Sequence, residues 1–341
     1  YSRAAMGDVA GWIVGWDLLL EYFVGNAVIG VGWAAYAQSF IENAFGVALS
    51  PTWSRAPYVW DAAQGGMVAT GGYVNLPAVV ALLGVTWVVR AGLKNTTRFN
   101  FGLVAFKLAV IFMFIAFAAP FIRPEHWQPF IPANTGTFGE FGWSGVMKGT
   151  GLVFFSYVGF DALVTAGQEL HDPQRSLPKA IFASLAICTL LYVATAVVLT
   201  GVVAYPELAV ANPLSYAARR VCPPWLPNLI EVGAMAGLAS SMAMGVTAQP
   251  RIVYAMAQDG LLPKVFGHVD KRRNAPVLAT TVCGVVCAFI AGFVPIGVLN
   301  ELVSVGTLFG FGSVSLSVII LRRRPHTGTS FRFPGGPYLV P

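Results

Sequence analysis

The sequence is short of charge. Only 11% of its 341 residues are Asp, Glu, Lys or Arg, whereas soluble domains carry about 25%. Hydrophobic residues make up 56% of the chain, and the mean hydropathy is +0.67. So few charged side chains cannot cover a water-soluble globule of this size. The composition therefore predicts an integral membrane protein whose excess apolar surface faces the lipid bilayer.

Histidine and cysteine are also scarce, with 4 of each. The histidines fall in predicted loops without the spacing of metal ligands. Three of the cysteines lie inside apolar segments, where Cys acts as a small hydrophobe. The histidines are His126, His171, His268 and His326, and the cysteines are Cys188, Cys222, Cys283 and Cys287. We therefore predict no metal site, no disulfide framework, no cofactor and no membrane-embedded enzyme.

Long apolar runs are abundant instead. A helix that crosses a bilayer needs about 20 mostly apolar residues. Eight segments meet this requirement, and turn residues separate them. They cover roughly residues 8–38, 74–91, 97–122, 146–169, 178–204, 226–256, 276–294 and 299–321. The sequence predicts an all-α membrane protein with eight transmembrane helices.

The basic residues predict the orientation of these helices. With eight crossings both ends lie on one side, and this side carries 15 Lys and Arg against 5 on the other, with Lys107 left inside a span. Cytoplasmic loops carry the excess of Lys and Arg in membrane proteins. We therefore expect both ends in the cytoplasm. The net charge of +6 follows from this topology and requires no nucleic-acid partner.

Lys107 is a cation in the third predicted span, FNFGLVAFKLAVIFMF. It lies nine residues beyond Arg98, which is about 13 Å deeper at 1.5 Å per residue. A desolvated lysine exchanges its proton closer to neutral pH than an exposed one does. The residues leave two interpretations open: a proton-coupling lysine, and a structural lysine that carbonyls of neighbouring helices bind.

Carboxylates also lie within or near the predicted spans. Asp17 and Glu21 are four residues apart on one face of the first span, and carboxylates at membrane depth face the bundle interior or water. We interpret them as a hydrogen-bonded structural pair. Glu231 and Glu301 lie near predicted outer helix ends and are interpreted as interfacial.

A glycine and a carboxylate interrupt the fourth span, in FFSYVGFDALVTAGQEL. Gly159 relaxes the helix, and Ser156, Tyr157 and Asp161 can hydrogen-bond the backbone groups that a break would free. Broken helices at membrane depth occur only where they line a cavity or are buried in protein. Their ends offer carbonyls and dipoles to a charged substrate. The alternatives are a substrate-binding break and an unbroken helix with one tolerated glycine.

The sixth span, GLASSMAMGVTAQP, contains polar residues where a lipid-facing helix has none. Ser240 and Ser241 are adjacent hydroxyls that either satisfy helix carbonyls or face a cavity. Met244 suits a side-chain pocket and equally ordinary core packing.

Four stretches together resemble the amino acid–polyamine–organocation (APC) superfamily permeases, and most closely their cationic amino acid transporter branch. They are GDVAGWIVGWDLLLEYFVGNAVIGVGW, GFDALVTAGQELHDPQRSLPKAI, QPRIVYAMAQDGLLPKVF and ELVSVGTLFGFGSVSLSVIILRRR. They occur in the family's order across nearly the whole chain. The eight spans are similar to family spans three to ten, so we expect a fragment that lacks the first two and the last helices of the family fold.

The resemblance implies a LeuT-like 5+5 inverted repeat. Residues 1–141 would form spans three to five of the first repeat, residues 142–326 spans six to ten of the second, and residues 327–341 a loop toward a further span. Because the Gly-rich break of family span one is not in this sequence, we expect the printed chain alone not to transport.

The resemblance also implies a function. The implied protein is a secondary active transporter of a bacterial inner membrane, and it moves amino acids together with protons by alternating access. A proton-independent exchanger of amino acids or polyamines is the alternative within the family. A membrane scaffold or channel is a more distant one.

Site residues follow from the same resemblance. The segment from Phe155 to Asp161 resembles the unwound part of family span six, whose carbonyls receive the substrate amino group, and Phe160 resembles the aromatic residue that closes over the substrate. Lys107 is similar to a span-five lysine that, in proton-coupled members, replaces the ion of sodium-coupled relatives. The remaining assignments are Asn26 and Met244 at substrate-pocket positions, and Ser240 and Ser241 at positions of ion-site hydroxyls.

Overall fold

Apolar helices form most of the chain in the computed structural model, which describes residues 5–61, 66–91, 96–157, 159, 172–210, 212–270 and 276–322. The α-helices are α1 Asp8–Phe45, α2 Pro51–Ser54, α3 Leu76–Arg90, α4 Thr96–Ala118, α5 Gly142–Phe154, α6 Pro173–Val202, α7 Pro213–Val221, α8 Trp225–Gln258, α9 Val277–Phe293 and α10 Ile296–Arg322. Short 3-10 turns cover Ala119–Phe121, Pro124–Trp127, Phe155–Tyr157, Tyr205–Leu208 and Lys264–Gly267.

Five of the described helices are long and apolar enough to cross a membrane. They are Asp8–Phe45, Asn100–Phe121, Ser176–Val202, Trp225–Gln258 and Ile296–Leu321, and each matches a predicted span. α3 and α9 match two further spans and are apolar, but they have only 15 and 17 residues. The prediction of a helical membrane protein is therefore confirmed, whereas the count of eight crossings stays a prediction.

A β-hairpin after α2 departs from the predicted all-α fold. Strand β1 (Tyr58–Asp61) pairs antiparallel with β2 (Gly66–Ala69). The β1 sequence YVWD is rich in aromatic and β-branched residues, which favour strands. The all-α prediction is wrong at this loop, because long apolar runs dominate the composition and conceal two strands of four residues.

α1 and α8 lie at the centre of the bundle. α1 packs against α3, α8, α9 and α10, and α8 also packs against α4 and α7. One hydrophobic cluster joins α1, α3, α8, α9 and α10 where they meet, and it includes the buried residues Val24, Ala27, Leu82, Met242 and Leu299. The central helices therefore present buried faces to several neighbours at once.

Glycines on α8 bring α1 and α4 close. A Cβ on Gly245 would lie 2.2 Å from Asn26 Oδ1, and one on Gly237 would lie 3.0 Å from Lys107 Cδ. Small residues at helix contacts are typical of membrane bundles, because they let backbones approach. Two polar side chains thus reach the α8 backbone at membrane depth.

A buried carboxylate attaches α7 to α1 and α8. Glu231 is 0% exposed, and its Oε1 accepts hydrogen bonds from Arg219 at 2.5 Å, Ser39 at 2.6 Å and Ser215 at 2.6 Å. Asn43 Nδ2 lies 3.1 Å from the same oxygen. We call these five residues the outer network. The interfacial depth of Glu231 stays a prediction, but the residue is buried because α7 folds over it.

Candidate functional site

The helix predicted over residues 146–169 ends before the glycine in the described part of the chain. α5 ends at Phe154, a 3-10 turn covers Phe155–Tyr157, and Gly159 has a φ of 118°. A Cβ on Gly159 would meet nothing within 4 Å, so the position needs glycine for its backbone conformation and not for space. Phe160, Asp161 and the Phe155 side chain lie outside the described part of the chain.

Tyrosines fix the turn that follows α5. Tyr192 of α6 donates a hydrogen bond from its hydroxyl to the Ser156 carbonyl oxygen at 2.8 Å. The Tyr157 hydroxyl lies 3.0 Å from Thr189 Oγ1, and the rings of Tyr157 and Tyr192 meet edge to face with centroids 5.5 Å apart. The Ser156 carbonyl, one of those predicted to receive an amino group, therefore already has a donor here.

A cavity of about 520 Å³ lies beside this turn, which we call the central cavity. α1, the turn, α6 and α8 form its walls. The structure brings together five residues singled out in the sequence, which line the cavity: Asn26, Ser156, Gly159, Ser241 and Met244.

Three polar lining residues were missed: Glu21, Tyr22 and Tyr192. Glu21 was interpreted as structural, and its Oε1 does accept a hydrogen bond from Thr307 at 3.0 Å. Yet the spacing of Glu21, Gly25 and Ile29 already places them on one helix face, and this was a usable signal. Tyr192 gave no signal, because an aromatic residue in an apolar helix is ordinary.

Asn26 contributes an unused donor to the central cavity. The residue is 3% exposed, and its Nδ2 has no hydrogen-bond partner among the residues that the structure describes. A buried N–H group without an acceptor is destabilising, and a ligand acceptor would satisfy it. Gly245 allows this placement, since any larger residue would collide with the amide.

The remaining chemistry of the central cavity is mixed. Met244 is 53% exposed into it, and Ile29, Leu238 and Ala248 add apolar surface. Glu21 is an acid in the lining, whereas Lys, Arg and His are absent from the lining within the described ranges. The described lining can therefore bind a small molecule that has an apolar part and polar groups.

Lys107 lies next to the central cavity and not in it. It is half-buried on α4 and lines a second cavity of about 270 Å³ with Tyr36 and Gly237. Leu238 and Ser241 line both cavities and separate them. No hydrogen bond or ion pair joins the lysine to the rest of the described chain.

The adjacent serines of α8 have different partners. Ser240 is 4% exposed and its Oγ hydrogen-bonds Asn100 Oδ1 of α4. Ser241 Oγ donates to the Gly237 carbonyl at 3.1 Å and faces both cavities. The two hydroxyls thus do not converge on one point. Over the described ranges, no group of three or more His, Cys, Asp and Glu is placed to bind a metal ion.

Apolar helices of membrane length surround a partly polar cavity beside the turn after α5, an arrangement typical of membrane transport proteins. The chain belongs to the amino acid permease family of the APC superfamily, whose family model matches residues 1–340. The resemblance seen in the sequence is thereby confirmed.

Relatives of the chain are transporters and not enzymes. It is 38% identical to the methylthioribose transporter of Bacillus subtilis (strain 168), over 98% of this chain and 69% of the relative. Identity to the branched-chain amino acid permease BcaP of the same organism is 35%, over 99% of this chain and 70% of BcaP. The vacuolar cationic amino acid transporter 4 of Arabidopsis thaliana is 31% identical over 96% of this chain, which spans only 52% of that relative.

Proposed function

We propose that the chain is the central part of a secondary active transporter that moves amino acids across a membrane by alternating access. The observation that carries the proposal is the end of α5 before Gly159, whose φ of 118° and position in the lining of the central cavity fit a break in the helix. Inverted repeats over residues 1–141 and 142–326, with both printed ends in the cytoplasm of a bacterial cell membrane, belong to the same proposal.

The central cavity supplies the contacts that an amino acid needs. Asn26 Nδ2 donates to a substrate oxygen, and Met244 with Ile29 contacts an apolar side chain. The segment Phe155–Asp161 presents carbonyls to the amino group. Because Tyr192 bonds the Ser156 carbonyl at 2.8 Å, one lone pair of that oxygen is used and the other can accept from the substrate amino group.

Lys107 couples a proton to this movement. It lies on α4 beside α8, where Gly237 receives its side chain, and Leu238 and Ser241 line both its cavity and the central one. Loss of its proton loosens α4 from the broken helix, and protonation restores the contact and favours the substrate-bound state. Ser241 lines both the Lys107 cavity and the central cavity, whereas Ser240 hydrogen-bonds Asn100 and lines neither of them.

Uptake by proteoliposomes of the full-length protein under an imposed pH gradient tests the proposal. The panel contains radiolabelled L-alanine, L-leucine, L-arginine and methylthioribose, because relatives carry names for branched-chain, cationic and methylthioribose transport. We expect Lys107→Ala to abolish the stimulation by the gradient, and Lys148→Ala, at an exposed lysine of α5, to retain it.

Three results separate the alternatives. Full pH dependence in Lys107→Ala would refute the role of the lysine. Uptake that needs internal amino acid and ignores pH would identify an exchanger. Absence of uptake for every amino acid in the panel would refute amino acid transport.

A further inference from the structure

A large cavity lies where three candidate membrane spans end. The spans Asn100–Phe121 and Ser176–Val202 end in its lining, and Trp225–Gln258 begins four residues after Val221, which also lines it. The ends of helices that cross a bilayer lie at the level of the lipid headgroups. We call this space, of about 740 Å³, the boundary cavity. Its position places it within reach of lipid headgroups.

The charged groups of the boundary cavity do not cancel. Arg123, Glu207 and Arg220 line it together with His126. The Arg220 guanidinium pairs with the Glu207 carboxylate at 2.6 Å. The Arg123 side chain forms no hydrogen bond or ion pair with the rest of the described chain. With the histidine neutral, the lining therefore carries one uncompensated positive charge.

The two arginines reach the boundary cavity from different elements. Arg123 follows the 3-10 turn after α4, and Arg220 lies in the last turn of α7. The predicted outer loops carry only 5 Lys and Arg in all, so two of these five converge here. Tyr216 positions Arg220, since its hydroxyl lies 2.5 Å from Nη2 and its ring centroid 4.8 Å from Cζ. A planar guanidinium fixed in this way is suited to phosphate.

One carbonyl fixes the turn that carries Arg123 and His126. The Gly201 oxygen, at the end of α6, accepts from the Arg123 backbone N–H at 2.9 Å and from His126 Nδ1 at 2.9 Å. Because a carbonyl only accepts, Nδ1 carries the hydrogen, which leaves Nε2 for another partner. Gly201 permits this approach: a Cβ there would lie 2.9 Å from Ile122 Cγ2 and 3.0 Å from Trp127 Cζ2. The cationic wall is thus held by the backbone.

An apolar cavity of about 330 Å³ adjoins the boundary cavity, and His126 lines both. We call it the aromatic cavity, because its lining includes Trp127, Phe130, Phe141 and Tyr205. The rings of Phe141 and Tyr205 meet edge to face with centroids 6.4 Å apart. Aromatic residues concentrate at the interfaces between membrane and water. A cationic space beside an apolar one is complementary to an amphiphile with an anionic head, more than to a free ion.

We propose that the boundary cavity binds the phosphate of an anionic phospholipid, and that the aromatic cavity receives the adjoining apolar part of the same lipid. Arg123 and Arg220 donate to the phosphodiester oxygens, because guanidinium groups match phosphate geometry. A phosphodiester brings the single negative charge that balances the lining, whereas a choline headgroup adds a positive charge of its own. The inference goes beyond the proposed transport function and does not depend on it.

Isothermal titration calorimetry of the full-length protein in neutral detergent tests the inference. The titrants are dioctanoyl phosphatidylglycerol, dioctanoyl phosphatidylcholine and inorganic phosphate, and we expect phosphatidylglycerol to bind most tightly. Arg123→Gln should weaken its binding by about 5-fold, the contribution of one basic residue near a lipid surface. Arg55→Gln, which removes another exposed arginine on the same predicted side, should retain the wild-type affinity.

A second pair of variants tests the apolar part. Phe130→Ala removes a ring from the aromatic cavity, so it should weaken binding of phosphatidylglycerol and leave that of inorganic phosphate unchanged. Phe138 is equally exposed, at 86%, and lines neither cavity, so Phe138→Ala should change neither affinity. Substitution of exposed side chains such as these leaves the fold intact.

Each result decides the inference. It is overturned if Arg123→Gln binds phosphatidylglycerol as tightly as the wild type does, or if phosphatidylcholine binds equally well. Inorganic phosphate that binds as tightly as the lipid, with Phe130→Ala unchanged toward both, would overturn the lipid and identify a soluble anion. If Arg123→Gln does not fold, the preference of the wild type among the three titrants and the effect of Phe130→Ala still decide.

Discussion

Replacement of Glu231 by glutamine should weaken the attachment of α7 to the bundle. The carboxylate is 0% exposed and accepts hydrogen bonds from Arg219, Ser39 and Ser215. Glutamine retains the shape, but it removes the charge and places an amide donor among donors. Breaking a buried ion pair from one side costs about 3–5 kcal/mol. Because the Arg219 side chain is 35% exposed, water screens the pair, and we expect about 2–3 kcal/mol.

Thermal unfolding of the detergent-solubilised protein measures this loss. Each kcal/mol lowers Tm by about 2–4 °C in chains of 150–250 residues, so Tm should fall by roughly 4–12 °C. Wild type and variant are compared at one scan rate, because unfolding of large proteins is often irreversible. Glu301→Gln removes an exposed carboxylate from α10 and is the matched control, with a Tm expected within about 1 °C of wild type.

A double-substitution cycle isolates the ion pair. Arg219→Gln leaves the Glu231 carboxylate buried with only neutral donors, so this variant should also lose stability. The loss of stability in the double variant should be about 1–3 kcal/mol smaller than the sum of the losses in the two single variants, because both substitutions remove the same interaction. An unchanged Tm for Glu231→Gln, or strictly additive losses, would refute the reasoning.

Three further predictions concern the cavity and a loop thiol. Gly245→Ala should abolish the rise in Tm that bound substrate produces, because the new Cβ would lie 2.2 Å from Asn26 Oδ1 and displace the amide. The control Gly149→Ala, where a Cβ would meet nothing within 4 Å, should retain this rise in Tm. Gly159→Ala should lower uptake by roughly 5- to 150-fold, because about 1–3 kcal/mol of backbone strain accompanies a non-glycine residue at such a φ; normal uptake would contradict this. Burial raises the pKa of the Cys222 thiol, so less of it is thiolate at pH 7 than of the thiol of free glutathione. In a variant without the other cysteines, maleimide should therefore react with Cys222 more slowly than it reacts with glutathione, and the rate should rise with pH. Equal rates for Cys222 and glutathione would argue against burial.

The helices could be predicted because the bilayer fixes their length and composition. α1, α8 and α10 contain the predicted spans over 8–38, 226–256 and 299–321 within their bounds. The end of α5 had a signal too, since a glycine and a carboxylate inside an apolar run conflict with ordinary helix packing, although the sequence also left an unbroken helix open. Such conflicts between local sequence and helix are expected at functional sites.

Contacts between distant segments could not be predicted. Glu231 is buried because the amphipathic helix α7 brings Arg219 and Ser215 to it, while Ser39 comes from α1. Nothing local to Glu231 indicates these partners. For the same reason the adjacent Ser240 and Ser241 looked like one site, and only the position of Asn100 separates their roles.

Residues 233, 237, 241 and 245 of α8 recur at every fourth position and are Gly, Gly, Ser and Gly. Positions four apart form one oblique row on a helix surface, so this row is a shallow trench that receives Val110, Lys107 and Asn26. Rotation of α8 would press those side chains against the walls of the trench, whereas movement along the row meets only the small Ser241 side chain. The packing of α8 therefore guides its displacement along one direction.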